Sequence, residues 1–203
     1  KTVKRLAIIA GKGDLPIAVA SAATAKGYDV LLLPIEGQAD ADFTCYQTRL
    51  IRLGSIGKTR SIITQHGCDQ LVMVGKVARP SIAALRPDFD GLKLLGKTFM
   101  KGDDNVLRLV AAYFAEKGIK TIAPDRFLPD RKMPLGIIHN GISSDQVAIS
   151  SEANETITHG VSVLTALGAH DVGQSVIVQN GRVIAIEAAE GSDAMIARSA
   201  TLL

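Results

Sequence analysis

Leu6-Ala7-Ile8-Ile9-Ala10-Gly11-Lys12-Gly13-Asp14-Leu15-Pro16 is the stretch on which the fold turns. The apolar run 6–10 is too short for a helix and reads as a buried strand, closed by a turn containing two glycines. Leu15, Val19, Ala22 and Ala25 then recur at three- and four-residue steps, which puts them on one face of a helix. Residues 30–34, 71–75 and 121–124 repeat the strand texture: short, apolar and bounded by Gly or Pro. Val106, Val110 and Phe114 mark a further helix, with Asp103 available as its cap and Gly118 just past its end. Strands alternating with helices predict an α/β domain with a Rossmann-like parallel sheet and helices on both faces.

The pattern lapses after Pro124. Pro124, Pro129 and Pro134 fall among Asp125, Arg126, Asp130, Arg131 and Lys132, which reads as a domain border. Beyond it, Ile157, Val161 and Leu164 predict a helix ending at Gly168. Residues 176–178 and 183–186 predict two strands joined through Gln179-Asn180-Gly181, a strong hairpin signal. A helix-like tail follows from 194 to 203. The expected organisation is a Rossmann-like domain over 1–130 and a smaller α+β domain over 131–203. The second is thin for independent stability and reads as incomplete.

Composition narrows the function. The chain has 203 residues, 47% apolar and 21% charged, which is globular usage and excludes disorder. Its longest apolar run, 30–35, is far short of the ~20 residues a membrane span needs. Residues 1–5 lead directly into the first strand with no signal-peptide pattern, and the missing initiator Met suggests trimming at the front. Cys45 and Cys68 lack metal or redox spacing and suit a reducing cytosol. The net charge of +3 is mild. With no Trp, five Phe and three Tyr, no basic tract is interleaved with aromatics, so nucleic acid is not an expected partner.

Four segments could carry chemistry. The first is the 10–16 turn, whose glycines could admit a phosphate at a helix N-terminus, although Pro16 stands where a dinucleotide fingerprint has its third glycine. Glu36 lies near where an acid would grip a ribose. A plain turn is the alternative. The second, Gly75-Lys76-Val77-Ala78-Arg79-Pro80, follows a strand, where α/β ligands bind; Arg79 and Lys76 could clamp a diphosphate, or simply be solvated. The third, Gly102-Asp103-Asp104-Asn105, offers oxygen ligands for Mg²⁺ or helix caps. The fourth brackets the hairpin: Asp171-Val172-Gly173-Gln174 before it and Glu187-Ala188-Ala189-Glu190-Gly191-Ser192-Asp193 after it. Acids this dense repel one another unless solvated or neutralised by a cation. His66, His139, His159 and His170 form no metal motif, and no serine elbow is present.

Taken in order, these motifs resemble the LpxI family, the UDP-2,3-diacylglucosamine pyrophosphatases of lipid A biosynthesis. The matching pieces are A-G-x-G-x-L-P at 10–16, G-K-V-x-R-P at 75–80, G-D-D at 102–104, D-V-G-Q at 171–174 and E-A-x-E-G-[ST]-D at 187–193. Ser192 stands where members usually carry Thr. Members continue several dozen residues further, into a segment with an essential carboxylate.

The resemblance implies a Rossmann-like domain followed by a domain of the family's own kind. It also implies Mg²⁺-dependent hydrolysis of the pyrophosphate bond, giving UMP and 2,3-diacylglucosamine 1-phosphate (lipid X). Gly11, Lys12, Gly13, Lys76, Arg79, Gly102, Gln174 and Ser192 are then the expected substrate contacts. Asp193, Glu190 and Arg79 are the expected catalytic residues, and Asp103, Asp104 and Glu187 the expected metal ligands. The diacylated nucleotide-sugar substrate implies a cytoplasmic protein that touches the inner membrane surface transiently. A homodimer is allowed. Two other readings stay open: an NAD(P)-dependent Rossmann oxidoreductase and a non-catalytic nucleotide- or lipid-binding module.

Overall fold

The computed structural model describes residues 3–78, 85–98, 103–131, 138–139, 142–143, 149–170 and 172–202. The chain divides into two compact units, Lys1–Met133 and Pro134–Leu203.

Unit 1 is built on β1 (Lys4–Ala10), β2 (Tyr28–Pro34), β3 (Gln47–Thr48), β4 (Gln70–Val74) and β5 (Lys120–Thr121). They form one sheet in the order β3-β2-β1-β4-β5, with every pairing parallel. The helices are α1 (Leu15–Ala25), α2 (Ile56–Gln65), α3 (Phe89–Thr98) and α4 (Asp103–Glu116). Alternation along the strands feeds two cores. Leu6, Ile8 and Ala10 of β1 join Leu32 of β2 and Val72 of β4 against Val19, Ala20 and Ala23 of α1. Ala7, Leu31, Leu33 and Leu71 face the other way, onto Ile63 of α2 and Phe114 of α4. A sheet buried on both faces needs the near-continuous apolar runs that the sequence shows. The α/β expectation holds.

Three details depart from the sequence reading. The edge strand predicted at 121–124 is only Lys120–Thr121, because Pro124 opens a short 3-10 turn, Pro124–Arg126. Helices α2 and α3 were not anticipated; α2 buries only Thr59 and Ile63, too few apolar positions to announce a face. The short strand β3 was also unread. It is exposed and carries Gln and Thr rather than an apolar run.

Unit 2 contains β6 (Ile138–His139) paired with β7 (Ile142–Ser143), helix α5 (Ser151–Gly168), a hairpin of β8 (Val176–Gln179) and β9 (Arg182–Ile186), and α6 (Ser192–Ser199). Ser150 caps α5 by accepting from Ala153 N at 3.1 Å. Asn180 and Gly181 turn the hairpin with φ of 48° and 74°, the positive values a two-residue primed turn requires. The tip is tied to α5, as Gly181 N donates to Thr156 Oγ1 at 3.0 Å. Gly160 is the buried point of α5; a Cβ there would stand 3.0 Å from Val178 Cγ2. At Gly173 a Cβ would run into the carbonyl oxygen of Glu187.

Backbone cannot retreat as a side chain can. Gly173→Ala is therefore expected to destabilise the chain by about 1–3 kcal/mol, the usual cost of overpacking. Urea unfolding followed by circular dichroism measures it, and an unchanged midpoint would contradict the close approach.

Candidate functional site

The carboxyl edge of the unit 1 sheet gathers the first two motifs. In a sheet of this order the chain leaves β1 and β4 in opposite directions, and ligands bind in the crevice that opens there. Here the two loops are joined. Gly11 N donates to Val74 O at 2.9 Å and Lys12 N to Lys76 O at 2.8 Å, while Lys76 N returns a bond to Lys12 O at 3.1 Å. Lys12 and Lys76 thus form an antiparallel bridge beyond the end of a parallel sheet. Glycine makes it feasible. A Cβ on Gly11 would stand 2.5 Å from Lys76 O, and one on Gly75, at φ +99°, 2.8 Å from the Gly11 backbone. These glycines let the two loops' backbones meet.

The bridge has an electrostatic consequence. Residues directly opposite in an antiparallel pair project to the same side, and like charges placed so repel. Both lysines are exposed. The loop after β2 closes the edge further, since Gly13 N donates to Asp40 Oδ1 at 2.8 Å and Ala78 N to Gln38 Oε1 at 2.9 Å. Asp14 pairs with Arg131 at 3.2 Å. Glu36, read as a ribose acid, pairs with Arg52 at 2.8 Å.

In unit 2 the fourth motif folds onto itself. Gly173 lies under Glu187, and Glu187 N donates to Ser175 O at 2.9 Å. Glu187 Oε2 is buried and has no hydrogen-bond partner. Glu190 is engaged: Arg198 reaches its Oε1 through Nη2 at 2.9 Å and Nε at 3.2 Å, and also holds Ile186 O at 2.7 Å. Gly191, at φ 85°, lets the chain turn into α6, with half-buried Ser192 first and exposed Asp193 in its opening turn. Gln174 is exposed.

Arg79, Gly102 and Asp171 lie outside the described residues, as do the side chains of Asp103 and Asp104, whose backbone opens α4. Among the described residues no three of His, Cys, Asp and Glu come together as a metal cage. His66 Nδ1 instead contacts Ile62 O at 2.8 Å. Cys45 is exposed and Cys68 buried, both as free thiols, and burial raises the Cys68 thiol to about 11. Missed by the sequence reading were Asp40, Gln38 and Arg198. A further groove of about 540 Å³ beside α2 and α3, lined by Lys58, Arg60, Asp88, Phe89 and Asp90 among others, holds none of the residues singled out from the sequence. Its acids are already used: Asp88 accepts from Lys58 N at 3.0 Å and Gly91 N at 2.9 Å, and Asp90 from the Tyr113 hydroxyl at 2.5 Å.

Backbone amide donation and the Arg198 guanidinium hold the Glu190 carboxyl below its ordinary 4.5. A depressed carboxylate contributes stability above its unfolded pKa and loses it as pH falls through the folded value. Arg198→Ala is expected to raise the Glu190 titration toward 4.5 and to shrink the acid loss of stability below that pH. Carbon-detected NMR of the side-chain carboxyl reads the shift directly; an unmoved titration would contradict the pairing.

Comparison with known proteins places these motifs. The LpxI N-terminal domain matches residues 5–131 and the LpxI C-terminal domain residues 140–203. The chain is 32% identical over 203 residues to the UDP-2,3-diacylglucosamine pyrophosphatase LpxI of Caulobacter vibrioides, covering 98% of this chain and 70% of that protein. Resemblance to solved structures is weaker. UDP-glucose-4-epimerase from Stenotrophomonas maltophila, with bound NAD, is 11% identical over 59% of this chain and 36% of its own, at a TM-score of 0.38. The Bordetella bronchiseptica enzyme WbmH, in complex with NAD+, is 12% identical over 40% of this chain and 29% of its own, at 0.33. With both of its domains matched in order and a pyrophosphatase relative along nearly its whole length, the chain belongs to the LpxI family.

Proposed function

We propose that this chain hydrolyses the pyrophosphate bond of UDP-2,3-diacylglucosamine, releasing UMP and 2,3-diacylglucosamine 1-phosphate for lipid A biosynthesis, with Mg²⁺ as cofactor. The observation that carries it is the 32% identity to the Caulobacter pyrophosphatase over 98% of the chain.

The residues suit the chemistry. A pyrophosphate spreads negative charge over its oxygens, and phosphoryl transfer is catalysed by positioning and charge stabilisation. In unit 1 Lys12 and Lys76, set opposite each other by the backbone bridge and exposed, supply positive charge on the sheet edge where a phosphate would sit. Arg79 adds a bidentate donor to the same loop. Gly11 and Gly13 shape this edge through the backbone. Gly102 leads into the Asp103 and Asp104 end of α4.

The donor chemistry fits Mg²⁺. The cation usually takes one or two protein carboxylates and completes its shell with water and substrate phosphate, so no cage is needed. Glu187 Oε2, buried without a partner, is a carboxylate oxygen such a cation would satisfy. Glu187 would hold such a cation in unit 2, and Asp103 and Asp104 are the carboxylates proposed for the same role in unit 1; when bound, it would neutralise phosphate charge and make water more acidic. Asp193 orients the attacking water, and Gln174 and Ser192 hydrogen-bond to substrate. Glu190, with its charge answered by Arg198, fixes the turn on which Asp193 stands.

The two acyl chains require contact with a bilayer. Among the described residues no helix is long and apolar enough to cross a membrane. We place the protein at the cytoplasmic face of the inner membrane as a transient visitor, aided by its net charge of +3. A homodimer is compatible with this reading.

Lys76→Ala is expected to lower Mg²⁺-dependent UMP release about 100-fold or more, the scale of losing one charge-stabilising donor. Release at the wild-type rate would remove Lys76 from the site. Glu187→Gln is expected to weaken Mg²⁺ binding in calorimetry while leaving the fold intact. Unchanged binding would assign the cation elsewhere.

A further inference from the structure

The glycine turn after β1 raises a question of ligand discrimination that the hydrolase reading leaves untouched. In dinucleotide-binding Rossmann folds the turn supplies backbone N–H groups to a pyrophosphate at the helix N-terminus. Three of the corresponding donors are engaged here. Gly11 N is bonded to Val74 O, Lys12 N to Lys76 O and Gly13 N to the Asp40 carboxylate, at 2.9, 2.8 and 2.8 Å. Pro16, in the first turn of α1, has no N–H to give.

Of these the Asp40 bond is the distinctive one, because its acceptor is an anion brought from another loop. Asp40 lies 27 residues from Gly13 and is held in place by its neighbours. Ala39 and Ala41 pack on the core that contains Leu32 and Val72, and Phe43 is buried in it. Gln38 N and Ala39 N both bond to Ile35 O. Gln38 also bonds to Ala78 N, so the same loop spans from the β1 turn to the β4 loop. An exposed carboxylate therefore stands at the Gly13 amide, next to a second acid in sequence, Asp14.

We propose that Asp40 is a built-in anion, and that it makes this Rossmann-like edge blind to dinucleotides by holding the Gly13 amide and repelling a second negative group. The consequence is selectivity. The Gly11, Lys12 and Gly13 amides are engaged within the fold, so a diphosphate is not seated on them as it is on a dinucleotide fingerprint. Asp40 is a specificity residue here, not a catalytic one.

The test uses the ¹⁵N-labelled full chain and inorganic pyrophosphate, reading the Gly13 amide by NMR. Asp40→Ala is expected to lower the half-saturation at that amide at least about tenfold relative to wild type, the scale of one charge-assisted hydrogen bond. Asp40→Asn, which keeps an acceptor and drops the charge, is expected between the two. Half-saturation equal in wild type and both variants would overturn the proposal. So would saturable uptake of NADH by the wild-type chain with a shift at Gly13. UMP release is not part of the readout, so failure here and failure of the pyrophosphatase reading are separable.

Discussion

The contact on which unit 1 depends is the back-to-back approach of Gly11 and Gly75. A parallel sheet ordinarily ends with its central strands diverging, and the gap between them becomes a ligand crevice. In this chain β1 and β4 keep pairing past their ends, through two reciprocal hydrogen bonds between Lys12 and Lys76. The pairing exists only because neither residue 11 nor residue 75 carries a Cβ. Everything distinctive about the edge follows. The turn amides are consumed, two lysines are set opposite each other, and the loop after β2 is drawn across to finish the closure.

Unit 2 solves a different problem with the same means. A unit of this size buries too little apolar surface to be rigid through its core alone. Ala185 and Met195 are its fully buried apolar side chains among the described residues. The remaining order comes from polar ties: Thr156 to the hairpin tip, Arg198 to Glu190 and to the end of β9, and Ser199 to Met195 O at 2.6 Å. Glycine at 160 and 173 lets backbone elements meet where side chains would hold them apart. Arg198 is therefore as much a part of the acidic motif as the acids themselves, because it neutralises one of them and leaves Glu187 as the carboxylate with an unanswered oxygen.

What the sequence made legible was whatever is local. Strands at 6–10, 30–34 and 71–75 are visible because a doubly covered sheet demands unbroken apolar runs. The hairpin turn at Asn180-Gly181 is visible because few residues accept positive φ in succession. Helix α2 was not, since it buries only Thr59 and Ile63 and so shows no apolar stripe. At the site, residue positions were legible but reasons were not. Gly11 reads as a glycine that could admit a phosphate, and the sequence does not show that Lys76, distant in the chain, comes close to it. Asp40 carried no signal whatever, because nothing in its own neighbourhood distinguishes a loop aspartate that reaches the Gly13 amide from one that is solvated.

A motif glycine is therefore ambiguous in a way that a motif lysine is not. Lysine declares a charge wherever it lies, whereas glycine declares only that something comes close. In this chain the things that come close are other motifs: Gly11 meets Gly75 and Lys76, and Gly173 meets Glu187. Each glycine holds together two segments that are not neighbours in the chain, so the motifs are paired by backbone contact before any ligand arrives. Four of the five motifs are the halves of these two contacts, one in each unit, and a substitution at either glycine would displace charges belonging to the other half of its own contact.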